Sequence, residues 1–263
     1  LKDYPMPIQV LHVDHGLRPS SQAEAKIVQQ LAKMHDIPCT VYSYTSEDYA
    51  LLPARGIEDQ ARILRYRAFD QWLAQGNRAI ALAHHADDQA ETVLLQVFRG
   101  TSLDGLGGMH EIRGRYLRPL LDVRRRELET YLASLGIEAI EDESNQSLEM
   151  TRNQLRLELI PQLDAIFQRD VTPNLLRLST LAREQQALLR ALIRTHYAPY
   201  LRGINDVYKV YPKANPALAK AILHEVIPQK DLTYQHYEVM AQLSQQNELK
   251  HVDLPHFVFT TAY

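Results

Sequence analysis

A chain of 263 residues, 45% hydrophobic and 23% charged, suits one large or two modest globular domains. It has no run of about 18 apolar residues that could span a bilayer, and its net charge of −3 does not announce a nucleic-acid binder, so any such surface must be local. The single cysteine, Cys39, excludes an internal disulfide framework, and the opening LKDYPMPIQV lacks the basic start and apolar core of a signal peptide, so a cytoplasmic protein without membrane contact is expected.

Residues 8–13 (IQVLHV) read as a strand running into Asp14, His15 and Gly16. After a loop holding Arg18, Pro19 and Ser20, residues 22–35 form an amphipathic helix with Ala25, Val28, Leu31 and Ala32 inward. Residues 40–44 are a second strand, and Cys39 before it is by default a buried, inert thiol. Residues 45–56 read as a polar, irregular loop. A strong helix follows over 58–75, with Ala61, Leu64, Ala68, Phe69 and Leu73 facing the core. Residues 79–83 are a short apolar strand of the kind buried on both faces. Over 92–98 the apolar Val93, Leu94, Val97 and Phe98 recur at helical spacing, and Gly100 is a natural residue to end that helix. This β-α-β-α-β-α order predicts an α/β fold, a doubly wound parallel sheet.

Residues 100–109 hold Gly100, Gly105, Gly107 and Gly108. The stretch lacks both G-x-G-x-x-G and the Walker lysine, so a surface turn and a phosphate loop stand equal. Residues 116–121 read as an edge strand because of Pro119. Asp122 is expected to cap a helix over 123–135 that stops at Gly136. Arg113, Arg115, Arg118, Arg124, Arg125 and Arg126 form either a solvated face, with Arg125 pairing Glu129, or a set of phosphate contacts. An acidic loop, 141–145, precedes a helix over 151–163, where Arg152 and Arg156 are i,i+4 neighbours placed to clamp a phosphate. Beyond Pro173 the pattern turns helical, with helices over 175–197, 214–227 and 234–245 and no strand signal until 250–259. We therefore expect an α/β domain over 1–172 and a mainly helical one over 173–263.

Chemistry concentrates between the strand at 79–83 and its helix, where His84, His85, Asp87, Asp88 and Glu91 fall at the strand's carboxyl end. Ligands bind at that edge of an open parallel sheet. Asp88 and Glu91 admit two readings. Asp88 can cap the helix with Glu91 completing a capping box, or the two carboxylates can hold a Mg²⁺ or a substrate ammonium. Capping does not account for two adjacent histidines and a second aspartate.

Seven phrases now stand in one order: HVDHGLRP (12–19), EDQARILRYR (58–67), AHHADDQAET (83–92), RGTSLDGLGGM (99–109), RPLLDVRRRE (118–127), EDESN (141–145) and RNQLR (152–156). Together they closely resemble the tRNA(Ile)-lysidine synthetases of the PP-loop (N-type) ATP pyrophosphatase superfamily, whose fold is adenine nucleotide α-hydrolase-like. The resemblance covers about residues 8–165 and implies an ATP- and Mg²⁺-dependent ligase. Such an enzyme adenylates the C2 oxygen of the wobble cytidine of tRNA(Ile) with anticodon CAU, and the ε-amine of free L-lysine then displaces AMP. Carried over by motif, Asp88 and Glu91 grip the amine, Asp88 sharing the metal. His84 meets the ATP phosphates or developing charge. Arg62 or Arg65, and Arg152 or Arg156, meet phosphate or adenylate, while Asp14 and His15 line the adenosine pocket. The reading admits a homodimer.

Three rivals remain. A metal-dependent phosphohydrolase would use Asp14 and His15 with His84, His85, Asp87 and Asp88. Other PP-loop tRNA-modifying enzymes that transfer sulfur work through cysteines, against the lone Cys39 here. A non-catalytic tRNA-binding module would use the arginine cluster. The family's S-G-G-x-D-S nucleotide loop, which belongs upstream of HVDHG, has no match in the chain, and Gly107 and Gly108 follow the wrong element to replace it. Assayed alone with ATP, lysine and tRNA, the polypeptide is therefore expected to form no lysidine; lysidine detected by mass spectrometry of the digested tRNA would refute this.

Overall fold

The computed structural model describes residues 7–18, 20–53, 56–76, 78–137, 151–197, 202–204, 207–209, 216–226, 232, 234–243, 251–254 and 257–260. Pro19 and the acidic loop expected at 141–145 lie outside them. The chain packs as two compact units, Leu1–Ala83 with Glu111–Pro119, and His84–His110 with Leu120–Tyr263.

In the first unit Val10–Asp14 (β1) and Cys39–Ser43 (β2) pair in parallel, Val10 opposite Cys39 and Asp14 opposite Ser43. A parallel pair needs a crossover, supplied by helix Ser21–Met34 (α1), which packs on both strands. It buries Ala25 and Ala32, whereas Leu31, expected inward, is 42% exposed; the small alanines let the helix sit close, and its leucine edge overhangs. Residues 46–50 are not irregular. Ser46–Ala50 (α2) is a short helix whose capping box joins Thr45 to Asp48, with Asp48 Oδ2 accepting from Thr45 N at 2.7 Å. Ile57–Ala74 (α3) buries Leu64, Ala68, Phe69, Trp72 and Leu73. Phe69, Trp72 and Leu73 form a core with Ile80, and Leu11, Val13, Tyr42, Tyr66 and Tyr116 pack against it.

Ile80–Ala81 (β3), Ile112–Arg113 (β4) and Tyr116–Leu117 (β5) complete this unit, β5 lying parallel to β3 and antiparallel to β4. The segment expected as an edge strand is thus the middle one. Pro119 does not disrupt it, because the last bond of that pairing runs from Arg118 N to Glu111 O (2.8 Å) and the proline falls beyond it.

The second unit contains Ala86–Arg99 (α4), Leu103–Leu106 (α5), Arg125–Ser134 (α6) and Thr151–Gln154 (α7). A π-helical segment, Leu155–Leu159, carries α7 into Ile160–Phe167 (α8), and Thr172–Tyr197 (α9) packs against α4 and α5. Gly100 ends α4 at φ 67°, as expected. Asp122 does not cap α6; Arg124 holds that position, with Glu127 Oε2 accepting from its N–H at 2.8 Å. Pro216–Val226 (α10) and Tyr234–Leu243 (α11) pack around Leu223, Tyr237 and Met240. Arg202–Ile204 (β6) pairs with Val207–Lys209 (β7), a hairpin too short to leave a period in the sequence. The strand expected at 250–259 is two, His251–Leu254 (β8) and Phe257–Thr260 (β9). Among the described residues no helix is long and apolar enough to cross a membrane.

The end of the glycine-rich stretch wraps a buried glutamine. Gln89 of α4, 2% exposed, donates from Nε2 to Gly107 O (3.1 Å), Met109 O (3.1 Å) and Ser179 Oγ (2.9 Å), and its Oε1 accepts from Met109 N at 2.7 Å. Ser179 Oγ in turn donates to Gly107 O at 2.8 Å, tying α9 to the same knot. Gly108 sits at φ +65°, where a Cβ would come within 2.7 Å of Gln89 Oε1. Gly108→Ala is expected to lower unfolding stability by about 1–3 kcal/mol, read as a lower urea midpoint; an unchanged midpoint would mean the loop does not close on Gln89.

Candidate functional site

At the carboxyl end of β1 the chain turns through Asp14, His15 and Gly16. Asp14 is buried, and its Oδ1 accepts from Gly16 N at 2.9 Å. Gly16 is at φ +62°, pressed against the Tyr44 carbonyl where a side chain would collide. His15 Nδ1 meets Tyr49 Oη at 3.0 Å, and its Nε2 meets Arg65 Nη2 at 3.4 Å. A guanidinium only donates, so Nε2 accepts and Nδ1–H donates to the tyrosine. Burial, then the Arg65 charge, lowers the His15 pKa to about 4, so the ring is neutral near pH 7. Asp14, His15 and Arg65 are thus held at one place. Arg62 is placed differently, its guanidinium over the Tyr66 ring, 5.3 Å from the centroid.

In the second unit, α4 begins one residue after His85, its N-cap. His85 Nδ1 accepts from Asp88 N at 3.3 Å, and Asp88 Oδ2 accepts from His85 N at 3.0 Å. The capping box therefore joins His85 to Asp88, three residues earlier than the Asp88 and Glu91 pairing weighed from sequence. His84 precedes the cap and lies off the helix. Asp87 faces elsewhere: its Oδ1 accepts from Arg124 Nε (3.1 Å), and its Oδ2 accepts from Arg125 N (2.7 Å) at the start of α6. Against burial, which pushes it up, the Arg124 guanidinium and Arg125 N–H hold the Asp87 carboxyl below its ordinary pKa. Arg124 Nη1 also donates to Asp170 Oδ2 at 2.8 Å.

Glu91 is released from capping. It is 1% exposed; its Oε2 accepts from Arg152 Nε at 2.8 Å, while its Oε1 is buried with no hydrogen-bond partner. Burial raises its pKa even though Arg152, and to a lesser degree Arg156, pull it down. Arg152 Nη2 donates to Asp88 O (3.2 Å) and Thr92 Oγ1 (3.1 Å). Arg156 Nη2 donates to Asn153 Oδ1 at 3.1 Å within its own helix. The two arginines expected to clamp a phosphate together thus make separate contacts, and the nearer one closes on the carboxylate expected to take an amine.

The arginines of residues 113–126 meet different partners. Arg115 donates to Arg78 O (2.8 Å), Arg118 is buried, Arg124 bridges two aspartates and Arg125 pairs Glu129 at 2.8 Å. The phosphohydrolase reading finds no support either. Among the described residues no group of three or more His, Cys, Asp or Glu side chains could hold a metal, and Asp87 and Asp88 are committed as above. Reasoning from sequence missed Tyr49, inside a segment read as loop, and the Arg124 to Asp170 bridge. Gln89 and Thr92 were legible only as polar residues in an otherwise apolar helix face.

Residues 1–163 match the family of PP-loop domains, and the chain belongs to that family. Its relatives include the tRNA(Ile)-lysidine synthase of Caldanaerobacter subterraneus subsp. tengcongensis, 35% identical over 188 residues, which are 71% of this chain and 40% of that one. That of Geobacter sulfurreducens is 35% identical, covering 73% of this chain and 42% of the relative. That of Treponema pallidum is 40% identical, covering 59% and 34%. The chain thus spans well under half the length of these relatives. Among solved structures, the U34-tRNA thiolase NcsA from Methanococcus maripaludis matches with a TM-score of 0.56 at 12% identity, covering 69% of this chain and 65% of the other. That likeness shows the fold, an adenine nucleotide α-hydrolase-like α/β domain.

The His15 environment has a pH signature. The ordinary pKa is 6.5 and the folded value about 4, so the unfolded chain takes up the proton first as pH falls. The penalty is absent above the unfolded value, grows between the two and is constant below the lower one. Stability should therefore fall from roughly pH 7 to pH 5, and His15→Asn should show a smaller fall in urea midpoint. An equal fall in both would place the titrating group elsewhere.

Proposed function

We propose that this chain acts in the ATP-dependent joining of free L-lysine to C2 of the wobble cytidine of tRNA(Ile) with anticodon CAU, forming lysidine. The observation that carries the reading is Glu91, a buried carboxylate with one oxygen on Arg152 and the other without a donor. A primary ammonium is a compact donor of the right charge for that oxygen. The naming of the relatives as tRNA(Ile)-lysidine synthases supports the choice of substrates.

In this reading the C2 oxygen attacks the α-phosphorus of ATP and pyrophosphate leaves. The lysine ε-amine, after losing a proton, then attacks C2, and the oxygen departs with AMP. Adenylation makes a poor leaving group a good one, while the protein must hold the amine and let its proton go. Glu91, with Asp88 at the same helix start, orients the amine. Arg152 and Arg156 serve the phosphate or adenylate, and His84 the ATP phosphates or developing charge. Asp14, His15 and Arg65 line the adenosine side, with Arg62 next to them on α3. The described residues form no metal cage, so a Mg²⁺ ion would take most of its ligands from nucleotide phosphates and water, with Asp88 the carboxylate on offer. Residues 1–172 would serve catalysis and 173–263 tRNA binding, with self-association into a homodimer included in the proposal.

The test uses the full-length protein, assayed with ATP, L-lysine and tRNA. Lysidine formation is expected, and Glu91→Gln should reduce lysine transfer by about 100-fold or more while leaving ATP-dependent adenylation of the tRNA in place. Undiminished lysine transfer by the variant would defeat the reading.

A further inference from the structure

The two side chains given to different ligands in the reading above are bonded to each other. We propose that Arg152 neutralises the amine subsite as a built-in counter-cation until a phosphate-bearing ligand draws it away, so that alkylammonium and phosphate bind cooperatively. The inference rests on the amine reading of Glu91 and adds to it a rule about the order of binding.

Three observations carry it. First, Glu91 is 1% exposed and Arg152 Nε already lies 2.8 Å from its Oε2. A second cation arriving at Oε1 would share one buried charge with the guanidinium, and like charges at such range in a poorly screened site repel strongly. Second, among the described residues the remaining contacts of Arg152 are to uncharged oxygens, Asp88 O at 3.2 Å and Thr92 Oγ1 at 3.1 Å, and its side chain is 31% exposed. A phosphate offers charge-assisted and bidentate bonds that neutral oxygens cannot match, on the side open to solvent. Third, Arg152 cannot simply leave. Its departure would strand a buried carboxylate without counter-charge, which is strongly unfavourable. An ammonium bonded to Glu91 removes that penalty, so departure of the guanidinium and arrival of the amine favour each other. Linkage makes the effect reciprocal: whatever factor phosphate adds to lysine affinity, lysine adds to phosphate affinity.

Calorimetric titration of L-lysine into the full chain, with and without saturating AMP, tests this. Couplings of this kind amount to about 5- to 150-fold, so AMP should tighten lysine binding by at least about five-fold. Arg152→Gln should bind lysine at least about five-fold more tightly than the unaltered chain without AMP, and gain nothing from AMP. Thr92→Val, which removes one oxygen holding Arg152, should fall between the two and serves if Arg152→Gln does not fold. Lysine binding that is measurable but no tighter in the variants would overturn the exchange while leaving Glu91 as an amine site. No lysine binding in any protein, with or without AMP, would overturn both.

Discussion

Asp87, Asp88, Gln89 and Glu91 each accept a hydrogen bond from a different part of the second unit, and they do so within the first turn and a half of α4. The donors are Arg124 with Arg125 N, the His85 backbone, Met109 N and Arg152. A helix start normally leaves its first N–H groups in want of acceptors. Here the same few residues also supply acceptors outward, to the start of α6, to the loop after α5 and to α7. The buried polar groups are therefore satisfied only if all these elements are in place together, so hydrogen bonding fixes the position of α4 alongside the apolar packing of Ala86, Ala90, Val93 and Leu94. Val97 and Phe98 at its far end, by contrast, are 44% and 67% exposed.

The long strands and helices were legible because period and length carry them: β1, β2, α1 and α3 of the α/β part, and α9 after it, fall within a few residues of their expected places. The acidic cluster was legible as a cluster. Its division of labour was not, since D-x-x-E marks a capping box only if the helix begins where the pattern suggests, and α4 begins earlier, at a histidine cap. The glycines of 100–109 were legible as freedom of backbone, but the reason for that freedom is a side chain on another element, which no local pattern records. The arginines of 113–126 are close in sequence, but three of their partners, the Arg78 carbonyl, Asp87 and Asp170, lie far away in the chain, while the Arg125 to Glu129 pair is local, as expected.

The first unit follows the same logic with different groups. His15 stands between a tyrosine hydroxyl and a guanidinium; burial first and the arginine's charge second favour the neutral ring, and the tyrosine fixes its tautomer by accepting from Nδ1–H. A neutral imidazole beside a buried carboxylate and a cation gives a pocket wall rich in hydrogen-bonding groups, and it keeps that character across the range where free histidines titrate. Tyr49 owes its place to α2, the short helix in a stretch that composition alone marks as irregular.

The π-helical segment Leu155–Leu159 separates Arg152 from α8, and Ile160 N reaches back five residues to Leu155 O. One residue is thus stored as a wider turn just after the arginine. A wider turn of this kind takes up one extra residue while the helices on either side keep their phase, so a difference in length at this place is absorbed without turning the guanidinium of Arg152 away from α4.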